Sequence, residues 1–309
     1  MAYHWSEIRE KGSLWGLKML LYCYHLLGFY ITYCLMMPVM LYYYVRAKSA
    51  REASSKYLSY LSANTTKKLS SFKHFLSFGE QLIDKFAVWS GKVKLHQVDF
   101  PNADVFIDQA TIKKGAVILT AHLGNIEIAR ALSQLALGAK INALVFSQHA
   151  LKFNQMLKSI NSDFDVNLIH VQSTDIALAI TLKQKIDQGE FVVIAADRTS
   201  VTDATRSVKA SFLNHSAYFP EGAFILAYLL KSPTYMMLCM KKQHQRFEII
   251  YEKLAEFVDL SRKNRKVNFS YYVQKYSDFL TNYCEQYPYQ WFNFYDFWAS
   301  PKSTEKVCK

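Results

Sequence analysis

The stretch Val117-Ile118-Leu119-Thr120-Ala121-His122-Leu123-Gly124-Asn125-Ile126-Glu127-Ile128-Ala129-Arg130 reads as an apolar strand, a histidine at its carboxyl end, a Gly-Asn turn and the start of an amphipathic helix. In open α/β sheets ligands bind at the carboxyl ends of the strands, so His122 stands where chemistry takes place. Glu127 follows five positions on, in the first helical turn, where its carboxylate is expected to reach back and orient the imidazole. Imidazole titrates near neutral pH and suits removal of a proton from an attacking hydroxyl; a carboxylate partner fixes its tautomer and stabilises the imidazolium. Gly124 and Asn125, with the N–H groups of the helix start, are expected to face the substrate and lend positive charge to an oxyanion. Alone, a histidine and a glutamate at this spacing equally describe a strand-terminal histidine bonded to a loop carbonyl.

Outward from this stretch, short β-rich runs recur at Ala116 to Ala121, Ile141 to Ser147, Val166 to Val171, Phe191 to Ala196 and Thr234 to Met240. Helical patterns alternate with them around Ile126 to Leu137, Ala150 to Ile160, Thr174 to Gln188 and Glu221 to Lys231. This alternation predicts an α/β fold with a mostly parallel central sheet flanked by helices on both faces. Phe247 to Tyr251 is expected to pair with the strand ending at Met240 as a hairpin. The cluster Arg262, Lys263, Arg265 and Lys266 reads as a loop before a final helix from about Ser270 to Gln286, followed by the aromatic tail Trp291 to Trp298.

Towards the amino terminus, Leu14 to Val45 is almost continuously apolar and has basic residues on both sides. Its length and the lack of a small-residue cleavage site argue against a signal peptide, and a membrane contact is expected, either as a span or as a kinked interfacial helix. Pro38 removes a helical hydrogen bond within it. The chain therefore divides into a membrane-associating segment, 1–46, and a catalytic domain, 47–309.

Hydrophobic residues form 51% of the 309-residue chain and aromatics 15%, a richness that suits contact with lipid. The 37 Lys+Arg against 25 Asp+Glu leave a formal charge of +12, which would gather nucleic acid, anionic lipid or an acidic carrier protein. A nucleic-acid binder should carry a helical reader or stacking aromatics beside its basic patch, and no such signature is present, so no nucleic acid is expected as a partner. The five cysteines form no Cys-x-x-Cys pair, and His149, His170, His215 and His244 do not cluster, so neither a disulfide framework nor a metal is expected. No serine or cysteine stands in a nucleophile elbow, which favours direct transfer between two substrates without a cofactor.

The His122-Leu123-Gly124-Asn125-Ile126-Glu127 block resembles the lysophospholipid acyltransferase superfamily, and within it the bacterial lipid A biosynthesis acyltransferases, in the His-x4-Glu form. The resemblance covers most of the chain: His4-Trp5, Gly12 to Gly16, the apolar segment, Asp197-Arg198 after a strand, Phe212-Leu213, Phe219-Pro220 and Gln290-Trp291. Ile126 departs from the pattern, standing where relatives usually carry Trp. The resemblance implies transfer of a fatty acyl group from a thioester donor, acyl carrier protein or acyl-coenzyme A, to a membrane lipid or glycolipid hydroxyl. It places the protein at the cytoplasmic face of a bacterial inner membrane, with His122 and Glu127 catalytic.

By analogy with the superfamily's acceptor-binding block, Asp197 and Arg198 are expected to bind substrate, Arg198 as a planar clamp on an anionic group. A structural ion pair is the alternative. Phe219-Pro220-Glu221-Gly222 spells part of the glycerolipid branch's acceptor motif, but its position before a helix makes helix capping the simpler reading of Glu221. Lys113, Lys114 and Lys152 flank the expected active-site strands and are candidates to steer an acidic carrier protein.

Overall fold

A computed structural model describes residues 14–62, 68–89, 91–129, 138–145, 167–171, 176–198, 206–243 and 245–299. Three helices lead: α1 (Leu14–Arg46), α2 (Lys48–Ser62) and α3 (Ser71–Trp89). The strands that follow are β1 (Val98–Asp99), β2 (Val117–Thr120), β3 (Ile141–Val145), β4 (Asn167–His170), β5 (Phe191–Ala195), β6 (Ser207–Phe212), β7 (His215–Pro220), β8 (Thr234–Lys241) and β9 (Phe247–Ala255). Between and after them run α4 (Ala103–Thr111), α5 (Ile176–Asp187), α6 (Gly222–Leu230) and α7 (Arg265–Gln286), and residues 126–129 open a further helix.

Seven strands make the main sheet in the order β1-β9-β8-β2-β5-β3-β4. The five from β8 to β4 are parallel, while β9 returns antiparallel to β8 as the expected hairpin. Every residue of β2 is buried, as a strand covered on both faces requires. Its side chains alternate: Val117 and Leu119 belong to one core with α2, α5, α6 and α7, whereas Ile118 joins the other with α1, α3 and α4. A parallel sheet between two helical layers is therefore the architecture that the alternating sequence pattern predicts.

Several local expectations change. Residues 207–220 form a second, two-stranded sheet rather than a plain approach to a helix. Its turn, Leu213-Asn214, has φ of 51° and 61°, the signature of a two-residue hairpin turn, but no glycine marks it in the sequence. Arg265 and Lys266 belong to the first turn of α7, leaving only Arg262 and Lys263 before it. Pro220 ends β7 instead of opening α6, and Glu221 precedes α6 without a side-chain cap. The expected helix at 150–160, with His149 and Lys152, lies outside the described residues, as do His244, residues 130–137 and residues 1–13.

Helix α1 breaks at Gly28 (φ 75°, ψ −173°), not at Pro38, which sits within helical backbone. Beyond the break α1 lies tightly on α3: a Cβ built at Gly79 would come within 2.7 Å of Met40 Cγ and 3.0 Å of Met36 Cγ. Tyr24, Met36 and Met40 are buried, while Tyr22, Leu26, Tyr30, Tyr42 and Val45 turn outward.

The turn after β2 is fastened from two sides. Gly124 N–H donates to Gln290 O (2.8 Å) and Asn125 N–H donates to Cys239 O (2.7 Å). Gly124 has φ +70°, and a Cβ there would lie 2.2 Å from Cys239 O. We expect Gly124→Ala to cost about 2 kcal/mol or more, since it adds left-handed strain to a backbone clash. Chemical denaturation of the purified variant, compared with wild type, reads that loss.

Candidate active site

Strand β2 pairs with β5 so that Thr120 lies opposite Ala195. Two residues further along each strand stand His122 and Asp197, brought side by side by that register. His122 Nδ1 lies 2.7 Å from Asp197 Oδ1, and the His122 main-chain N–H donates to Asp197 Oδ2 at 2.9 Å. A carboxylate facing Nδ1 accepts, so Nδ1 carries the proton and Nε2 keeps its lone pair. The carboxylate that faces Nδ1 is thus that of Asp197. Glu127, half-buried in the first turn after the Gly-Asn pair, does not hold Nδ1, because β5 delivers its neighbour's carboxylate there first.

Asp197 is fully buried and receives two more donors, Asn293 Nδ2 at 2.8 Å and Trp291 Nε1 at 3.3 Å. Burial alone would raise its pKa; the His122 charge and hydrogen bonds, with Arg198, outweigh that and hold it at about 2. Burial pushes the His122 imidazole below its ordinary range, Arg198 and Lys85 push the same way, and Asp197 partly opposes them. The ring is therefore neutral near pH 7, the form a general base requires.

Both oxygens of Asp197, expected from the sequence to bind substrate, accept N–H groups of the protein itself. Arg198 also has work inside the protein: Nε donates to Asn293 Oδ1 (2.9 Å) and Nη2 to Phe292 O (3.3 Å). The main-chain N–H groups of Gly124 and Asn125 are spent on Gln290 and Cys239, so neither is left to bind an oxyanion. Asn125 is 3% exposed and, among the described residues, its Oδ1 has no partner.

Trp291 and Asn293 are the site residues that sequence reasoning missed. The C-terminal segment pairs antiparallel with the turn after β2, Phe292 N–H donating to His122 O at 2.8 Å. Trp291, Phe292 and Phe297 are buried, and Phe294, Tyr295 and Trp298 are half-buried; Trp291 packs 4.9 Å from Tyr57 and 5.1 Å from Phe212. One signal was present in the sequence: Asn293 and Asp296 are the two polar residues that interrupt the aromatic run 291–298.

Beside the turn, on the α1 and α3 side, lies a cavity of about 290 Å³ lined by Phe29, Tyr30, Glu80, Asp84, Asn125 and Lys241 among others. Lys241 Nζ pairs with Glu80 at 2.8 Å and Asp84 at 2.7 Å. Lys113 and Lys114, by contrast, precede β2 and sit at the end of the sheet opposite His122, so they do not rim the site. Among the described residues no group of three or more metal-ligating side chains comes together.

Comparison with curated proteins returns no match. Comparison with protein families matches residues 73–299 to the bacterial lipid A biosynthesis acyltransferases, a span that includes His122, Asp197 and the C-terminal strap. The match covers most of the chain. This chain belongs to the bacterial lipid A biosynthesis acyltransferase family and is an acyltransferase.

Proposed function

We propose that this acyltransferase moves a fatty acyl group directly from a thioester donor to a hydroxyl of an anionic lipid or glycolipid, with His122 as general base. The observation that carries this reading is the Nδ1 contact to a fully buried carboxylate, which leaves Nε2 as the proton acceptor. Nε2 takes the acceptor's hydroxyl proton as its oxygen bonds to the thioester carbonyl carbon. The C–S bond then breaks, and the thiolate leaves with the proton returned from the imidazolium. Asp197 is the positioning group. Glu127 is assigned to the reaction by the His-x4-Glu signature of the family, and Arg198 by its charge beside His122.

The polar cavity beside the turn is the place we assign to the acceptor headgroup, which would meet Asn125 and reach the site from the side covered by α1. Among the described residues one helix, Tyr22–Arg46, is long and apolar enough to cross a membrane. Tyr24 and Met40, on either side of the break at Gly28, are both buried against the domain, and the outer face of α1 is apolar. Packed on α3, which carries Glu80, Asp84 and Lys85, α1 suits an interfacial helix better than a span, at the cytoplasmic face of the inner membrane.

For the donor we favour acyl carrier protein over acyl-coenzyme A, on the net charge of +12 and the lack of a glycine-rich phosphate loop. The docking residues are not Lys113 and Lys114, which lie at the wrong end of the sheet.

His122→Ala should remain folded and lose about 10²–10⁴-fold in kcat; near wild-type turnover by the folded variant would refute the mechanism. Asp197→Asn should lose activity with little change in KM for either substrate, since it removes orientation rather than binding. Because the His122 pKa is lowered, activity should rise as pH climbs through it and be flat by neutral pH. Assays in detergent with carrier and coenzyme A thioesters at several salt concentrations test the donor. We expect the carrier to be preferred and its kcat/KM to fall with salt; preference for coenzyme A would overturn that assignment alone. Removal of residues 1–46 should release much of the protein from membranes, which fractionation reads directly.

A further inference from the structure

His74, on α3, is 1% exposed and lies outside the catalytic pair. Its Nε2 is 2.8 Å from Trp291 O and its Nδ1 is 2.9 Å from Ser54 Oγ on α2. A carbonyl oxygen can only accept, so Nε2 carries the proton and Nδ1 accepts from the Ser54 hydroxyl. Ser54 Oγ in turn accepts from Ser71 Oγ at 2.9 Å. The chain of donors thus has one direction: Ser71 to Ser54, Ser54 to His74, His74 to the Trp291 carbonyl. Burial lowers the His74 pKa to about 4, so the ring stays in that single neutral form.

The carbonyl that His74 holds belongs to the peptide unit joining Trp291 to Phe292. The N–H of the same unit donates to His122 O at 2.8 Å. A peptide unit is planar and stiff, so an imidazole fixing its oxygen also fixes the direction of its N–H. Trp291 itself and Asn293, one residue beyond Phe292, both donate to Asp197.

We propose that His74 is a positioning residue of the acyl transfer: through one peptide unit it sets the His122 backbone and, through Trp291 and Asn293, the carboxylate that orients the His122 ring. This rests on the assignment of His122 as base. It connects α2 and α3, the helices next to the membrane-facing α1, to the catalytic pair. Hydrogen bonds in series polarise one another, so the link has an electrostatic as well as a geometric part. Ring contacts to Phe294 (4.7 Å) and Tyr57 (5.5 Å) offer a purely structural alternative, and the test must separate the two.

His74→Phe keeps a ring for those contacts and removes both nitrogens, whereas His74→Gln keeps an N–H that can reach the Trp291 carbonyl. Each is assayed beside His122→Ala, with thermal melting and circular dichroism to establish folding. Folded His74→Phe should lose about tenfold to a hundredfold in kcat, the scale of a small misplacement in an active site, with KM for donor and acceptor little changed. The acid limb of its pH–rate profile should move to lower pH as the Asp197 contact to the ring loosens. His74→Gln should recover much of the lost rate and return the limb towards its wild-type place. Folded His74→Phe with wild-type kcat and an unmoved acid limb would overturn the proposal. If His74→Phe does not fold, His74→Gln is compared with His74→Asn, whose shorter amide falls short of the carbonyl; equal kcat and equal acid limbs in those two would overturn it as well. An active His122→Ala would instead bring down the base assignment, so the two failures are told apart.

Discussion

A carboxylate with no exposure to water is the constraint around which this protein is arranged. Asp197 at the end of β5 carries a charge that burial opposes, and such a charge persists only where donors replace the lost hydration. Those donors come from two distant segments: His122 supplies its main-chain N–H and Nδ1, and Trp291 and Asn293 supply theirs. Removing any one donor leaves a buried charge short of a partner. The same contacts that make the charge tolerable fix the imidazole tautomer.

The C-terminal strap meets that requirement from above the sheet. It pairs with the turn after β2, sends Gln290 to both the main-chain N–H and the main-chain oxygen of Lys241, and buries Trp291 among Tyr57, Phe212, Phe297 and Trp298. Arg198 closes the arrangement by holding Asn293 and Phe292. Side chains held in this way lose little entropy on reaching the transition state, because it has already been lost in folding. The helices α1 and α3 cover the other side, and the polar cavity they line touches the turn after β2 at Gly124 and Asn125.

The sheet and most of its helices were legible because a strand buried on both faces must be continuously apolar, and the runs at 117–119, 191–195 and 235–240 are. The hairpin at 207–220 was not, since Leu213-Asn214 takes left-handed backbone without the glycine that announces such turns. Nor was the position of the break in α1: proline is the visible helix breaker, yet Gly28 takes the non-helical conformation while Pro38 stays in helix.

The local sequence determined that His122 ends a buried strand and precedes a glycine turn and a helix, because those properties depend on residues within a few positions of one another. The family resemblance was legible in the sequence as well. Which carboxylate faces Nδ1 was decided by tertiary structure alone. Glu127 is five residues away along the chain and Asp197 is 75, but β2 and β5 are neighbours in register, and adjacency of parallel strands is not written in either strand. Likewise the aromatic composition of 291–298 fixed only that the segment would avoid water; whether it met lipid or the catalytic turn depended on the pairing of Phe292 with His122, a contact between residues 170 positions apart.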